Sequence, residues 1–374
     1  MKRLISVIAV CSFFMASFSL KAYSVDVSQV SAKYAVLVDA TTGSVIYGKN
    51  EHKKASMAST TKIMTALILC EQADLNEEIT VTEEMVRVEG SSMGLLAGDR
   101  AHYKDLLYGL LLASGNDAAN AVAISIGGNL EGFAKMMNER AKQIGMTNTN
   151  FVTPSGLDDE NHYTTAYDMA LLACVAMNNK DFAEACGSKY AQLEYGNPPY
   201  KRTLRNHNKL LTTYDKCIGI KTGFTKKSGR CLVSCAEDNG KKVIAVTLKA
   251  PDDWNDHVRL LDFGIKSFET RDVKYPSALP DLKIVGSDNK LKIKAETKKL
   301  SMLPNDFDKI AYEVCVSDVV FAPIKSGDIV GCVKVIVNNK EVARLPCVAT
   351  DSVVTNKNKI DRDFGYWIRR MLFA

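Results

Sequence analysis

A serine and a lysine three residues apart are the pair in this chain best suited to chemistry. Ser59 and Lys62 lie in M-A-S-T-T-K-I-M-T-A-L-I-L-C, residues 57–70. Because an unbroken apolar run follows the lysine, the pattern predicts a buried helix that begins at Ser59. The i, i+3 spacing places hydroxyl and amine on one helix face. A serine needs a base to act as a nucleophile, and a lysine among apolar side chains or near a second cation loses its proton more easily. The pair therefore predicts a serine nucleophile with a lysine base.

The Ser-x-x-Lys spacing alone is a weak signal, since Ser287 and Lys290 repeat it. Gly286 and Asn289 make that second copy a polar turn. For Ser59 the alternative is an ordinary helix cap followed by a chance lysine. The chemical interpretation therefore requires further polar groups that converge on the same hydroxyl.

A turn between two apolar helices supplies the second candidate group. Ser114 and Asn116 lie in L-L-A-S-G-N-D-A-A-N, residues 111–120. Ser114 is suited to relay a proton between the lysine and a leaving amine, and Asn116 is suited to bind a substrate amide. The alternative is that either side chain caps the helix that follows.

The third candidate group lies on a predicted strand. Lys221, Thr222 and Gly223 lie in C-I-G-I-K-T-G-F-T, residues 217–225, where apolar residues alternate. Gly223 leaves room for another backbone, so an extended peptide can pair with this strand as an added edge. We expect Lys221 to attract a substrate carboxylate and to lower the proton affinity of the helix lysine, while the Thr222 hydroxyl binds the same carboxylate. The backbone N–H groups of Phe224 and of the nucleophile would hold an oxyanion.

Hydrophobic periodicity places these groups on an α+β framework. Strands are predicted at residues 34–39, 44–48, 79–82, 218–224, 230–237 and 242–249, and helices at 103–112, 117–126, 130–144, 165–177 and 255–267. The run 243–248 is the most continuously apolar, so it should be a central strand covered on both faces. Strands first and last, with helices between them, indicate one antiparallel sheet packed against a helical cluster. A cleft is expected where the two meet.

The sequence pattern changes after about residue 270. Prolines punctuate short β-rich runs at residues 291–296, 309–316, 329–337 and 341–349, with Asn338-Asn339-Lys340 as a hairpin turn. We therefore predict a first domain at 25–270 and a small all-β domain at 271–355. Residues 356–374 carry an amphipathic stripe beside three arginines, which suits a helix lying on an anionic membrane surface or, alternatively, docked on the β domain.

Composition and the N-terminus indicate the compartment. The chain has 374 residues and a net charge of only +5, without the basic clusters of a nucleic-acid-binding protein. A short positive head, an apolar run and the small residues of Ala22-Tyr23-Ser24 predict a signal peptide at 1–24, the alternative being a retained membrane anchor. Removal of Cys11 leaves nine of ten cysteines, without a C-x-x-C pair, so a disulfide framework or a zinc cage is not indicated. We predict an exported protein of the cell wall or the outer face of the cytoplasmic membrane.

The three groups occur in order, each in its expected secondary structure, and the set resembles the serine penicillin-recognising enzymes. The wider segments A-S-T-T-K-I-M-T-A-L, D-L-L-Y-G-L-L-L-A-S-G-N-D-A-A-N and G-I-K-T-G-F-T, with the loop T-P-S-G-L-D, resemble the D-alanyl-D-alanine carboxypeptidases, the low-molecular-mass penicillin-binding proteins. The resemblance covers about residues 33–268. The trailing β domain and terminal helix fit the same family in outline.

The resemblance implies a role for each candidate residue. It makes Ser59 the acylated nucleophile and Lys62 its general base, with Ser114 and Asn116 assisting proton transfer and substrate binding. The Lys-Thr-Gly strand and residue 224 would bind the substrate. The implied reaction removes the last D-alanine from a peptidoglycan stem pentapeptide through an acyl-enzyme, with β-lactams as covalent inhibitors and no metal or cofactor.

Two positions depart from the family pattern. Met57 stands where the family usually has proline, which affects the approach to the helix, and Phe224 stands where many members have histidine. If only the backbone N–H matters at residue 224, we expect activity to survive with an altered substrate preference.

Three rival interpretations stay open. A β-lactamase shares the three motifs, but it needs a carboxylate pattern such as Glu-x-x-Leu-Asn, which residues 153–167 lack. An α/β-hydrolase is suggested by Gly90-x-Ser92-x-Gly94, although that motif requires a buried strand before it and a helix after it. The third rival is a non-catalytic peptidoglycan-binding protein.

Overall fold

The computed structural model describes residues 26–354. Within residues 26–273 the strands are β1 (Tyr34–Asp39), β2 (Val45–Lys49), β3 (Glu78–Thr80), β4 (Arg100–His102), β5 (Tyr190–Gly196), β6 (Pro199–Arg205), β7 (Cys217–Thr225), β8 (Gly229–Asp238), β9 (Lys241–Leu248) and β10 (Glu269–Val273). The helices are α1 (Lys62–Gln72), α2 (Glu83–Val86), α3 (Tyr103–Tyr108), α4 (Asn116–Gly127), α5 (Leu130–Ile144), α6 (Ala166–Ala176), α7 (Lys180–Gly187), α8 (Leu210–Thr213) and α9 (Asp253–Lys266). The predicted signal peptide and terminal amphipathic helix lie outside the described residues.

A five-stranded antiparallel sheet, in the order β2-β1-β9-β8-β7, joins both ends of this part of the chain. Strand β9 lies at its centre, and the two faces of β9 are covered by different cores. Ile244 and Val246 face the helical cluster, whereas Val243 and Ala245 face α9. The predicted α+β class and the central position of the 243–248 run are therefore confirmed.

Residues 282–349 form small sheets built from β11 (Leu282–Val285), β12 (Lys290–Leu291), β13 (Ile293–Ala295), β14 (Lys298–Met302), β15 (Ala311–Val316), β16 (Val319–Phe321), β17 (Ile329–Val337) and β18 (Lys340–Ala349). The main sheet has the order β13-β18-β17-β15. Asn338 and Asn339 both have positive φ between β17 and β18, as a tight hairpin turn requires. Asp306 accepts hydrogen bonds from Thr42 and Ser44, which links this region to the β1–β2 turn.

Several details differ from the sequence prediction. Ser59 lies in a 3-10 turn, Ala58–Thr61, and the α-helix proper begins at Lys62. The helix predicted over 103–112 ends as a π-helical turn, Gly109–Ala113. The β5–β6 hairpin and α7 were not predicted.

Candidate active site

The 3-10 turn that carries Ser59 is held by its own threonines. Thr60 donates to the Met57 carbonyl at 2.6 Å and Thr61 donates to the Ala58 carbonyl at 2.8 Å. Ala58 has φ +47°, a left-handed conformation that is unfavourable for a residue with a Cβ. The nucleophile candidate therefore follows a strained residue whose carbonyl is tied down, a feature common at functional sites.

The amine of Lys62 lies beside the Ser59 hydroxyl. Its Nζ is 3.1 Å from Ser59 Oγ, 2.6 Å from Asn116 Oδ1 and 2.7 Å from the Ser155 carbonyl. When the amine is neutral, the amide and carbonyl oxygens accept its two N–H bonds, so the lone pair faces the hydroxyl. This is the geometry required of a general base.

The surroundings of Lys62 favour that neutral form. The side chain is fully buried. Burial, and then the charge of Lys221, hold the pKa of Lys62 well below its ordinary value, while Asp117 opposes the effect. The cause expected from the sequence, apolar surroundings with a second cation nearby, is therefore present in the structure.

The turn after the π-helical segment brings Ser114 and Asn116 to the same place. Ser114 adopts the left-handed conformation, with φ 58° and ψ 32°, and lines the cleft above Ser59. Asn116 receives its orientation from two sides, since its Nδ2 donates to the Glu89 carbonyl at 2.6 Å while its Oδ1 faces Lys62. Such a fixed amide can direct the amine as well as contact a substrate.

Strand β7 closes the cleft from the edge of the sheet. A Cβ placed on Gly223 would lie 3.0 Å from the Thr60 nitrogen and 3.1 Å from the Ser59 nitrogen. Glycine is needed here because strand β7 and the nucleophile turn, the 3-10 turn Ala58–Thr61, approach each other backbone to backbone. The backbones of residues 59 and 223 are therefore adjacent, as the expected oxyanion site requires.

The side chains of the Lys-Thr-Gly segment separate in the structure. Thr222 lines the cleft, whereas Lys221 is 1% exposed and donates to the Thr222 carbonyl at 2.9 Å. Burial lowers the pKa of Lys221 to about 7. Lys221 acts on the site from inside the protein, and its direct contact with a substrate carboxylate stays a prediction.

The cleft has a volume of about 290 Å³ and includes residues that the sequence did not single out. Its lining consists of Ser59, Ser91, Ser114, His207, Thr222, Gly223, Phe224, Arg230, Asp253 and Trp254. The Phe224 side chain is 66% exposed at its mouth. Arg230 is opposite Phe224 in the β7–β8 ladder, and its Nε donates to Asp253 at 2.8 Å. Successive strands were predicted at residues 218–224 and 230–237, and the pairing of their adjacent ends is the signal that could have pointed to Arg230.

A loop at residues 153–158 forms another wall, which sequence reasoning had not connected to the chemistry. Besides the Ser155 carbonyl on Lys62, the Pro154 carbonyl accepts from Thr65 at 2.6 Å. A Cβ on Gly156 would clash with the Ala58 carbonyl oxygen, so this loop packs directly on the 3-10 turn that carries Ser59.

The structure around Ser92 lacks the strand and the helix that the α/β-hydrolase motif Gly90-x-Ser92-x-Gly94 requires. Residues 87–95 form neither the preceding strand nor the following helix. Ser92 instead donates to Asp117 at 2.5 Å, and the same carboxylate accepts from the backbone N–H groups of residues 93–95. Ser92 therefore shapes the loop that carries it.

Two acidic residues of the 153–167 region also make hydrogen bonds. Asp158 accepts from Thr225 at 2.9 Å, beyond the Lys-Thr-Gly segment, and Asp159 accepts from the Asn161 nitrogen at 2.7 Å. These contacts give Asp158 a role in holding the loop to the end of β7.

Comparison with known proteins agrees with this geometry. Residues 21–252 match the D-alanyl-D-alanine carboxypeptidase family, and residues 283–355 match the C-terminal domain of penicillin-binding protein 5. The chain belongs to the D-alanyl-D-alanine carboxypeptidase family. It is accordingly a serine peptidase and a hydrolase of the penicillin-binding proteins.

Individual relatives cover most of the chain. D-alanyl-D-alanine carboxypeptidase DacF of Bacillus subtilis is 32% identical and covers 86% of each chain. The structure of penicillin-binding protein 5 from Haemophilus influenzae is similar with a TM-score of 0.63, at 26% identity, over 87% of this chain and 98% of that one. A variant of the Streptomyces K15 DD-transpeptidase gives a TM-score of 0.61 at 30% identity, over 63% of this chain and 98% of that one.

Three further observations concern residues 26–354. The nine cysteines of this part of the chain are free thiols. No group of three or more His, Cys, Asp or Glu side chains there is arranged to hold a metal ion. No helix within these residues has both the length and the apolar character needed to cross a membrane.

Proposed function

We propose that this carboxypeptidase acts on peptidoglycan stem pentapeptides and uses Ser59 as its nucleophile. The observation that carries the proposal is the Lys62 amine, which is buried, held by two acceptors and 3.1 Å from Ser59 Oγ. Lys62 takes the hydroxyl proton as Ser59 attacks the carbonyl between the two D-alanines. The N–H groups of Ser59 and Phe224 stabilise the oxyanion.

Collapse of the tetrahedral intermediate then breaks the peptide bond. Ser114, which lines the cleft, passes the proton that Lys62 took from Ser59 to the leaving amine, so that D-alanine departs and Lys62 is neutral again. Water hydrolyses the acyl-enzyme with Lys62 again as the base. Asn116 holds the amine in place and contacts the substrate amide, while the substrate pairs with β7 beside Gly223.

The substrate's terminal carboxylate is held by Thr222 together with Arg230. Lys221 stays a predicted partner of the same carboxylate but is buried, whereas Arg230 lines the cleft and its side chain is 43% exposed. The Nε of the Arg230 guanidinium donates a hydrogen bond to Asp253. Within residues 26–354 the guanidinium makes no other hydrogen bond or ion pair. Its terminal nitrogens are therefore available for a carboxylate.

The N-terminal pattern supports export, which would place the enzyme on the side of the membrane where peptidoglycan lies. We infer action at the cell wall or on the outer face of the cytoplasmic membrane. Contact of the C-terminal segment with that membrane is part of the same proposal and depends on its amphipathic sequence.

The deciding experiment combines a covalent probe with a peptide substrate. After incubation with benzylpenicillin, mass spectrometry should find one adduct, mapped to Ser59, and a diacetyl-Lys-D-Ala-D-Ala peptide should release D-alanine. Ser59→Ala should abolish both. Ser287→Ala, the other Ser-x-x-Lys serine, should change neither. An adduct on another serine would refute the assignment, rapid turnover of the penicillin would favour a β-lactamase, and labelling without D-alanine release would favour a binding protein.

A further inference from the structure

A buried histidine outside the proposed catalytic set links two walls of the cleft. His162 is 3% exposed. Its Nδ1 accepts from the Val152 backbone N–H at 3.0 Å, so the proton of the neutral ring is on Nε2. Nε2 lies 2.8 Å from Thr61 Oγ1, whose own proton goes to the Ala58 carbonyl at 2.8 Å. The hydrogen bonds therefore run in one consistent direction from the 152–156 segment to the nucleophile turn.

Each end of this chain of hydrogen bonds lies next to one of the two proposed catalytic residues, Ser59 and Lys62. At one end, Ala58 holds the left-handed conformation that precedes Ser59. At the other end, Val152 begins the segment whose Ser155 carbonyl accepts from the Lys62 amine at 2.7 Å. A shift between turn and loop would change the angle at which the amine faces the hydroxyl.

We propose that His162 is a positioning residue for acylation, because it fixes the loop that orients the Lys62 amine against the turn that carries Ser59. The inference rests on the proposed function. It requires a ring with an acceptor on one nitrogen and a donor on the other, which only the neutral imidazole provides. Burial lowers the pKa of His162 to about 4, against the opposing effect of Asp159 and Asp158, so the ring is neutral near pH 7.

Three substitutions separate the two halves of the connection. His162→Gln places an amide near the Nε2 position and keeps a donor for Thr61. His162→Asn keeps an acceptor near the Nδ1 position but loses the hydrogen bond to Thr61. His162→Ala loses both hydrogen bonds. Since a misplacement of about 1 Å can cost about a hundredfold in rate, we expect His162→Ala to lower the acylation rate constant k2 by roughly 10- to 100-fold.

Stopped-flow acylation by benzylpenicillin resolves k2 from the dissociation constant Kd of the initial complex. The expected result is a lower k2 with an unchanged Kd, partial recovery of k2 in His162→Gln, and less recovery in His162→Asn. Thr61→Val should reproduce the loss, and the double variant with His162→Ala should lose no more than either single variant, since both break one connection.

His257 provides the matched control. It is also fully buried, and its ring nitrogens lie 2.5 Å from Ser234 Oγ and 2.9 Å from Thr247 Oγ1, between the sheet and α9. His257→Ala should lower the melting temperature without lowering k2. Wild-type k2 in His162→Ala, or equal losses of k2 in the two alanine variants, would overturn the inference. If His162→Ala does not fold, the order of k2 in the glutamine and asparagine variants decides. Failure of the wild-type enzyme to label at Ser59 would instead refute the proposed function.

Discussion

Replacing Asn116 by aspartate tests whether Lys62 must be neutral to act. The substitution keeps the shape of the side chain but places a carboxylate where Asn116 Oδ1 now lies 2.6 Å from Lys62 Nζ. A carboxylate there favours the ammonium form, so it raises the pKa of Lys62 and removes the base at neutral pH. It also faces the Glu89 carbonyl, to which the amide now donates at 2.6 Å.

The size of the effect follows from the short distance. Opposite charges about 4 Å apart attract by about 4 kcal/mol at an effective dielectric constant of about 20, and the two atoms here are closer than that. Because about 1.4 kcal/mol corresponds to a factor of ten, the ratio of neutral to protonated amine should fall roughly a thousandfold at any given pH. Acylation should fall by up to that factor where the wild-type amine is partly protonated, and by less where the wild-type amine is fully neutral.

The assay is the rate of acylation by benzylpenicillin as a function of pH. A raised pKa means that the neutral amine is lost at a higher pH, so the acid limb of the profile should move upward in the aspartate variant and the rate should recover as the pH rises. Asn116→Ala is the control: it removes the acceptor without adding charge, so its rate should fall without that upward shift. An aspartate variant with the same pH profile as the alanine variant would refute the neutral-base argument.

Three other substitutions test the remaining parts of the site. Lys62→Arg keeps a permanent charge and cannot accept a proton, so acylation should fall by about 10²- to 10⁴-fold in the same assay, and a near-wild-type rate would exclude Lys62 as the base. Gly223→Ala puts a Cβ about 3 Å from the Ser59 and Thr60 nitrogens, so we expect about a tenfold slower acylation, whereas no change would mean that the close approach of β7 is dispensable. Arg230→Gln should raise KM for a peptide ending in a free carboxylate but not for the corresponding C-terminal amide; an equal effect on both would argue against carboxylate binding.

Local periodicity was sufficient to predict the fold class and the order of the three motifs. The i, i+3 spacing of Ser59 and Lys62 survives the change from an α-helical to a 3-10 start, because both turns keep residues three apart on one side. The continuously apolar β9 and the paired asparagines of the β17–β18 turn are equally local signals. The β5–β6 hairpin was missed because β6 is largely exposed, so its apolar pattern is weak.

The contacts missed at the site are those that carry no side-chain signal or depend on strand register. The Ser155 carbonyl is a backbone atom, and any residue at that position would supply it. The role of Arg230 depends on its place opposite Phe224 in the β7–β8 ladder. The burial of Lys221 was also not predicted, because the alternating pattern of the strand does not show whether the face that carries Lys221 is exposed to solvent.

The arrangement of charges supports the proposal that Lys62 serves as a base although it is deeply buried. Within residues 26–354, neither Lys62 nor Lys221 forms an ion pair, although Asp117 lies close enough to affect the pKa of Lys62. The carboxylate of Asp117 accepts instead from Ser92 and from the backbone N–H groups of residues 93–95 and 118. These five donors hold the Asp117 carboxylate against the loop, and no hydrogen bond or ion pair joins it to Lys62 within residues 26–354. The loop at residues 91–95 therefore does more than line the cleft, because it keeps this carboxylate from pairing directly with the Lys62 amine.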